Sequence, residues 1–277
     1  MHTAAIEVGT AMPGEPPGEI SRELPRLLGT VSGSSVSKVG RRTINADAVA
    51  TVTDERLGRS AFVVADGVGD HLGAARAARI VARTAARVAV TQGARAGILA
   101  AQRELLRQLP ESEADSVLVV AVLPASGQPD GPCDIAWLGD CRAYRWNGRV
   151  LHQITTDHTV AEYFRLRGHE PMAGMGHLVT TSARTVRPGD IGEASTGSSV
   201  GQLVLCTDGV GKRLEMADIK SILAEGDSPG RTAAALVDTA LDGGGTDNAT
   251  ALVVSAPAIP IAPSPRKPRA LGAPQDQ

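Results

Sequence analysis

Phe62-Val63-Val64-Ala65-Asp66-Gly67 is the stretch from which the fold is read. Four apolar residues run into an aspartate and a glycine, the pattern of a buried strand that ends in a turn. The pattern returns at Leu203-Val204-Leu205-Cys206-Thr207-Asp208-Gly209. It appears in reverse at Asp247-Asn248-Ala249-Thr250-Ala251-Leu252-Val253-Val254, where the aspartate precedes the strand. A carboxylate at the end of a buried strand is costly unless something neutralises it. One such aspartate is explained by a turn, because Asp bonds its own backbone and Gly tolerates the bend. Three together bring forward a second explanation, carboxylates converging on hard divalent cations. Oxygen-only ligands favour Mg²⁺ or Mn²⁺ over zinc.

Outward from these strands the chain mixes strands and helices. Residues 46–53 and 60–65 read as strands around a polar turn, followed by helices over 73–90 and 95–109. In the first helix Arg76, Arg79, Arg83 and Arg87 share one face, and Ala77, Val81, Ala85 and Val88 form the apolar stripe. An Arg stripe opposite an Ala/Val stripe is the solvated side of a surface helix, not an anion site. Strands are predicted over 116–123, 133–138, 142–146 and 151–155. Asn147-Gly148 between the last two predicts a type I′ hairpin, with positive φ at both central residues. A helix over 160–167, an irregular Gly-rich flap over 168–199, a strand over 202–206, helices over 216–224 and 230–241 and a strand over 249–255 complete the reading. Strands come in adjacent runs with helices between the runs. This predicts an α+β fold of mainly antiparallel sheets with helices packed outside.

The 277 residues divide into a proline-rich segment over 1–28 without regular structure, one domain over 29–255 and a second proline-rich tail over 256–277. Hydrophobic residues are 42% of the chain and aromatics 2%, so the core is built from Ala, Val, Leu and Ile. So few aromatics exclude a stacking platform for single-stranded nucleic acid. A net charge of −2 argues against a general binder of phosphate backbones. No apolar run approaches the ~20 residues that span a bilayer, and residues 1–19 lack the basic and apolar regions of a signal peptide. Cys133, Cys141 and Cys206 have neither a disulfide nor a zinc spacing. A cytoplasmic protein without a membrane or nucleic-acid partner is expected, and a monomer, since nothing demands a second chain.

Arg42-Thr43-Ile44-Asn45-Ala46-Asp47 puts a guanidinium, an amide and a carboxylate within six residues, groups suited to phosphate. With this segment the chain resembles the metal-dependent protein phosphatases (the PPM or type 2C serine/threonine family) in their bacterial form. Arg42 to Asp47 resembles that family's R-x-x-N-E-D. Val64-Ala65-Asp66-Gly67-Val68-Gly69-Asp70-His71, with Gly73, resembles V-A-D-G-M-G-G-H-x-x-G. Leu138-Gly139-Asp140-Cys141-Arg142-Ala143-Tyr144 resembles G-D-S-R-x-Y, and Thr155-Thr156-Asp157-His158-Thr159 resembles L-T-x-D-H-S. Cys206-Thr207-Asp208-Gly209-Val210 resembles C-S-D-G-L, and Gly245-Thr246-Asp247-Asn248-Ala249-Thr250 resembles the closing D-N-I-T. Six motifs in the family's order carry far more weight than any one.

The resemblance implies a four-layer αββα sandwich and a centre of two Mn²⁺ or Mg²⁺ ions. By position Asp66 would bridge the metals, the Gly67 carbonyl would bind one, Asp208 and Asp247 would hold the other, and Asp47 would act through water. Arg42 would be the catalytic residue that binds the substrate phosphate. The implied reaction is hydrolysis of a phosphoserine or phosphothreonine protein by a hydroxide held on the two metals, with no phosphoenzyme. The chain departs from the pattern at several places. Ala46 replaces a family Glu, removing an outer carboxylate. Asp70 stands where Gly is usual, and Val68 where eukaryotic members place His. His71 matches the bacterial His, for which a structural role and an acid role both stand, while Asp140 and Arg142 match a motif read as packing and turn-stabilising. Asp157 and His158 are expected to cap the helix that follows. Asp115 is a positional candidate for a third metal. Substrate choice would reside in the flap. The alternative function, kept open by Ala46, is a catalytically weak module that binds phosphoproteins and regulates them.

Overall fold

The computed structural model describes residues 3–8, 19–23, 31–125, 128 and 131–256. In chain order its elements are β1 (Thr3–Val8), β2 (Glu19–Glu23), β3 (Ser32–Lys38), β4 (Asp47–Asp54), β5 (Arg59–Gly67), α1 (Leu72–Gln92), α2 (Ala94–Gln108), β6 (Ser116–Val122), β7 (Asp134–Leu138), β8 (Arg142–Trp146) and β9 (Leu151–Gln153). They continue with α3 (Val160–Arg165), β10 (Gly192–Ser195), β11 (Gly201–Cys206), α4 (Asp208–Gly211), α5 (Met216–Glu225), α6 (Pro229–Asp242) and β12 (Ala249–Ala256). One six-stranded sheet runs β1-β4-β5-β6-β7-β10 and the other β2-β3-β12-β11-β8-β9. Every pairing is antiparallel.

Side-chain alternation builds the layers. In β5, Phe62 and Val64 point to the middle of the molecule and meet Leu203, Leu205, Leu252 and Val254 from the second sheet. Ala61, Val63 and Ala65 point the other way, onto Val81, Ala85 and Ile98 of α1 and α2. Val204, Cys206, Ala251 and Val253 face Ile219, Leu223, Leu236 and Val237 of α5 and α6. The central strands are therefore buried on both faces, and the result is the expected αββα sandwich. Small side chains let the layers approach closely. A Cβ on Gly97 of α2 would stand 2.7 Å from the Ala85 carbonyl oxygen of α1, so only glycine fits there. The His71 ring caps α1, its Nδ1 accepting from the Ala74 amide at 3.1 Å. Arg76, Arg83 and Arg87 lie exposed along α1 as expected, while Arg79 is half-buried. Among the described residues no helix is long and apolar enough to cross a membrane.

Three expectations are corrected. Residues 1–28 were expected to lack regular structure, yet β1 pairs with β4 and β2 with β3. Backbone hydrogen bonds to an existing sheet edge extend the sheet without a periodic sequence. β3, where the sequence predicts no element, is a serine-rich strand whose Ser34, Ser35 and Ser37 are buried. Being clamped between β2 and β12 overrides its weak apolar character. The turn after Trp146 is not type I′. Gly148 has φ +88°, but no described residue other than glycine has a positive φ. Instead the Asn147 carboxamide oxygen accepts from the amides of Arg149 (3.0 Å) and Val150 (2.8 Å), closing a four-residue connection. The expected proline-rich tail lies outside the described residues beyond Ala256.

Phe62, fully buried between the sheets, is the largest inter-sheet side chain of β5. Phe62→Ala is expected to cost about 3–5 kcal/mol of stability, read as a lowered urea midpoint at unchanged slope.

Candidate metal centre

The ends of four strands deliver carboxylates to one rim of the sandwich. Asp66 closes β5, Asp208 follows β11 and opens α4, Asp247 precedes β12, and Asp140 sits in the turn from β7 to β8. Together with Arg42, Gly67, Val68, Asp70 and His177 they line one cavity of about 230 Å³. Of the residues singled out from sequence, Arg42, Asp66, Gly67, Asp208 and Asp247 are thus brought together. Gly67 is fixed by packing as well: a Cβ there would lie 2.5 Å from the Ala74 carbonyl oxygen of α1. Asp47 is paired across the ladder with Asp66, but it lines a separate cavity of about 50 Å³ with Ser37, Asn45 and Arg79.

Asp47 is held by a directed chain of hydrogen bonds. The Asn45 amide donates to the Ser37 hydroxyl (2.9 Å), which bonds the Thr250 hydroxyl (2.7 Å). Thr250 donates on to Asp47 Oδ2 at 2.6 Å, and Thr207 donates to the same oxygen at 3.0 Å. Oδ1 is buried with no partner among the described residues. Burial pushes the Asp47 carboxyl up to about 7, against the lowering effect of the two threonines and with help from the charges of Asp208 and Asp247. Burial, followed by the charges of Asp47, Asp208 and Asp140, holds Asp66 well above the carboxylate range. Asp140 is raised in the same way, by burial and then by Asp208.

Two cations answer this charge. The Arg42 guanidinium donates to Asp247 Oδ2 at 2.7 Å, and both side chains are about 40% exposed (40% and 39%). The Lys212 ammonium, 16% exposed, ion-pairs with Asp140 and reaches Asp208 Oδ2 at 3.1 Å. At the larger cavity the aspartates are opposed by Arg42 and Lys212, and Arg79 lines the smaller cavity beside Asp47. As they stand, no three His, Cys, Asp or Glu side chains among the described residues converge closely enough to grip a metal ion. The donor set around the larger cavity is nonetheless one that a hard divalent cation fits: carboxylate and carbonyl oxygens with surplus negative charge in a roomy cavity.

The loop that carries Arg42 is tied down by two residues whose roles the sequence did not disclose. The Asn248 carboxamide accepts from the Ala46 amide (2.8 Å) and donates to the Val39 and Ile44 carbonyls (both 2.9 Å). Asp70 accepts from the Thr43 hydroxyl (2.9 Å) and from the Thr43 and Ile44 amides. These bonds, the Thr43 hydroxyl foremost, lower its carboxyl. Asp70 is thus a loop anchor at the cavity edge. Ala46 is buried against Ala74 and Ala75 of α1.

Other expectations change. Asp115 does not line the cavity. Its carboxylate accepts from the Ser182 hydroxyl and from the Ser116 and Arg184 amides, pinning the flap rather than offering free oxygens for a third metal. Asp157 does not cap α3: it takes a two-pronged ion pair from Arg142 (2.9 and 2.7 Å). His158 lies against Trp137, and the cap is Thr159, whose hydroxyl accepts from the Glu162 amide. His71 is the helix cap already described. Arg142 has the structural role expected of it, whereas Asp140 faces the cavity.

No family model matches the sequence, and no curated protein does. Solved structures do match by fold. PppA, described as a key regulatory component of T6SS in Pseudomonas aeruginosa, superposes with a TM-score of 0.69 at 25% identity, covering 82% of this chain and 98% of its own. The PPM Ser-Thr phosphatase MsPP from Mycobacterium smegmatis, in complex with cacodylate, gives 0.65 at 23% identity over 83% and 99%. The catalytic domain of the serine/threonine phosphatase PstP, in complex with two manganese ions, gives 0.66 at 21% over 82% and 99%. The chain has the fold of the bacterial PPM-type serine/threonine phosphatases.

The raised Asp47 carboxyl makes the metal-free fold sensitive to pH. Its folded value of about 7 lies above the unfolded value of ~4. Between the two the unfolded chain releases a proton that the folded chain keeps, so stability falls as pH rises through that window. Asp47→Asn removes this contribution. In urea titrations with chelator, the variant's stability relative to wild type is expected to rise from pH 4.5 to pH 7. A gap that stays constant would show that Asp47 is already ionised at the lower pH.

Proposed function

We propose that this protein is a metal-dependent phosphatase that hydrolyses phosphoserine and phosphothreonine monoesters on proteins. The observation that carries the reading is the gathering of Asp66, Gly67, Asp208, Asp247 and Arg42 around one cavity of an αββα sandwich. The fold neighbours that are serine/threonine phosphatases, one of them holding two manganese ions, support it.

Asp66, Asp208 and Asp247, with Gly67 as a carbonyl donor, would hold two Mn²⁺ or Mg²⁺ ions. Such ions, when bound, make a water acidic enough to attack phosphorus near neutral pH and offset charge on the phosphoryl oxygens. The remaining work falls to the chain. Asp47 offers its unpartnered Oδ1 as an acceptor that orients water beside Asp66. Arg42 recognises the phosphate. Its pairing with Asp247 is exposed, and exposed pairs contribute only ~0–1 kcal/mol. The guanidinium is therefore free to exchange a carboxylate for two phosphoryl oxygens, the geometry to which its fork is suited. Asn248 and Asp70 hold the Arg42 loop in place for that exchange. The reaction adds water across the P–O bond and yields inorganic phosphate and the free hydroxyl. We place the activity in the cytoplasm, on a phosphorylated protein, without a nucleic-acid or membrane partner.

Hydrolysis of p-nitrophenyl phosphate and of a phosphothreonine peptide, with Mn²⁺, with Mg²⁺ and with chelator, tests the proposal. Metal-dependent turnover is expected. Asp66→Asn and Asp208→Asn should lose more than about 100-fold, beyond the cost of disturbing an outer partner alone. Arg42→Ala should lower kcat/KM by about 10- to 100-fold, the worth of a charge-assisted pair of hydrogen bonds. One observation favours a second reading, a phosphoprotein-binding regulator: the buried Ala46 that supplies no outer carboxylate. Metal binding without turnover on either substrate would remove the first reading and turn the search to binding partners.

A further inference from the structure

Lys212 stands inside the candidate centre, and neither the motifs nor the proposed reaction gives it a task. It follows the four-residue helix α4 and lies one turn beyond Asp208. Its ammonium has three oxygen partners. These are Asp140, Asp208 Oδ2 at 3.1 Å and the carbonyl of Gly176 at 2.7 Å. Gly176 lies in the short 3-10 turn Met175–His177 of the flap, and the next residue, His177, lines the cavity. The pairs are well shielded, with Lys212 and Asp208 each 16% exposed and Asp140 6%. Two carboxylates and a carbonyl are also the donors that a hard divalent cation takes. The ammonium and a metal ion therefore compete for the same oxygens.

We propose that Lys212 is a resident cation of the Asp140–Asp208 side of the site, which a divalent ion must displace in order to bind there. The proposal rests on the metal-centre reading above. Two consequences follow from the contacts. First, this side binds metal more weakly than the side without a lysine, because the ammonium must give up two shielded ion pairs before the ion enters. Second, metal loading removes one tie of the flap, the one at the Met175–His177 turn. The ammonium that leaves Asp140 and Asp208 also leaves Gly176, and no other side chain is recorded on that carbonyl among the described residues. Lys212 is thus a positioning residue that couples the metal content of the site to the flap above it.

The test is Mn²⁺ titration of wild type, Lys212→Met and Lys212→Arg, followed by calorimetry and by the electron paramagnetic resonance of free Mn²⁺. None of these readouts requires turnover. Lys212→Met keeps the length of the side chain and removes its charge. It is expected to tighten the weaker Mn²⁺ site by about tenfold or more, as removing a like charge near a divalent ion demands. Lys212→Arg restores the weak binding. Hydrogen exchange over residues 174–178 should rise in wild type when Mn²⁺ is added, and should already be high in metal-free Lys212→Met. Without metal the methionine variant leaves two carboxylates unpaired, so Mn²⁺ should raise its Tm by more than it raises that of wild type. A variant that folds only with Mn²⁺ is the limit of the same result. Unchanged Mn²⁺ affinity in Lys212→Met, or a variant unfolded with and without Mn²⁺, overturns the role of Lys212 and leaves the metal centre standing. A wild type and variants that all fail to bind Mn²⁺ overturn both.

Discussion

Mutual repulsion among aspartates at one rim of the sandwich is the constraint on which the rest of the structure depends. Asp47 and Asp66 face each other across a ladder, with Asp208 and Asp247 adding their fields to both. Such a cluster disfavours its own ionisation and is tolerated only where its surroundings are stable enough to hold it. Here the surroundings are two six-stranded sheets whose central strands are buried on both faces. The threonines of the strand ends hold Asp47, and the cluster draws Arg42 and Lys212 inward. An apolar scaffold of small side chains thus supports a polar site that is unfavourable by itself.

How much of this the sequence discloses depends on the kind of signal. β5, β11 and β12 are legible because a strand buried on both faces must be apolar without interruption, and little else reads that way. Helix α1 is legible because an Arg face and an Ala/Val face alternate at helical spacing. β3 is not, because serines give it no apolar period. Its stability comes from two neighbouring strands. β1 and β2 are edge strands without a sustained apolar period, each held by one neighbour. Asn147-Gly148 misleads in a different way. The dipeptide suits two turn types, and the choice falls to the Asn carboxamide, which finds two amides two and three residues ahead.

The candidate site divides along a similar line. Arg42, Asp66, Gly67, Asp208 and Asp247 belong to motifs, and a motif fixes residue types at a spacing. Lys212 stands outside the motifs and Asn248 within the closing one, and neither discloses its task, because both tasks are defined by partners far away in sequence. Asn248 serves Val39, Ile44 and Ala46 some two hundred residues earlier, and Lys212 reaches back to Asp140 and Gly176. Asp115 and Asp157 show the converse. Each carries a carboxylate near the right motif, and each is committed to the flap or to Arg142 by bonds that only the folded chain reveals.

The two cations of the site are held by similar carboxylates but under different dielectric conditions, and this separates their roles. Arg42 and Asp247 meet where water screens them, so breaking the pair costs little and the guanidinium can exchange its partner during a reaction. Lys212 meets Asp140 and Asp208 where water is largely excluded. An uncompensated charge there is expensive, so the ammonium leaves only when another cation arrives. The same chemistry at two exposures suits Arg42 to the proposed exchange with phosphate and Lys212 to the proposed counter-charge. The difference follows from where each strand ends. Asp247 enters β12 from an exposed loop, whereas Asp208 leaves β11 directly into a helix packed on the sandwich.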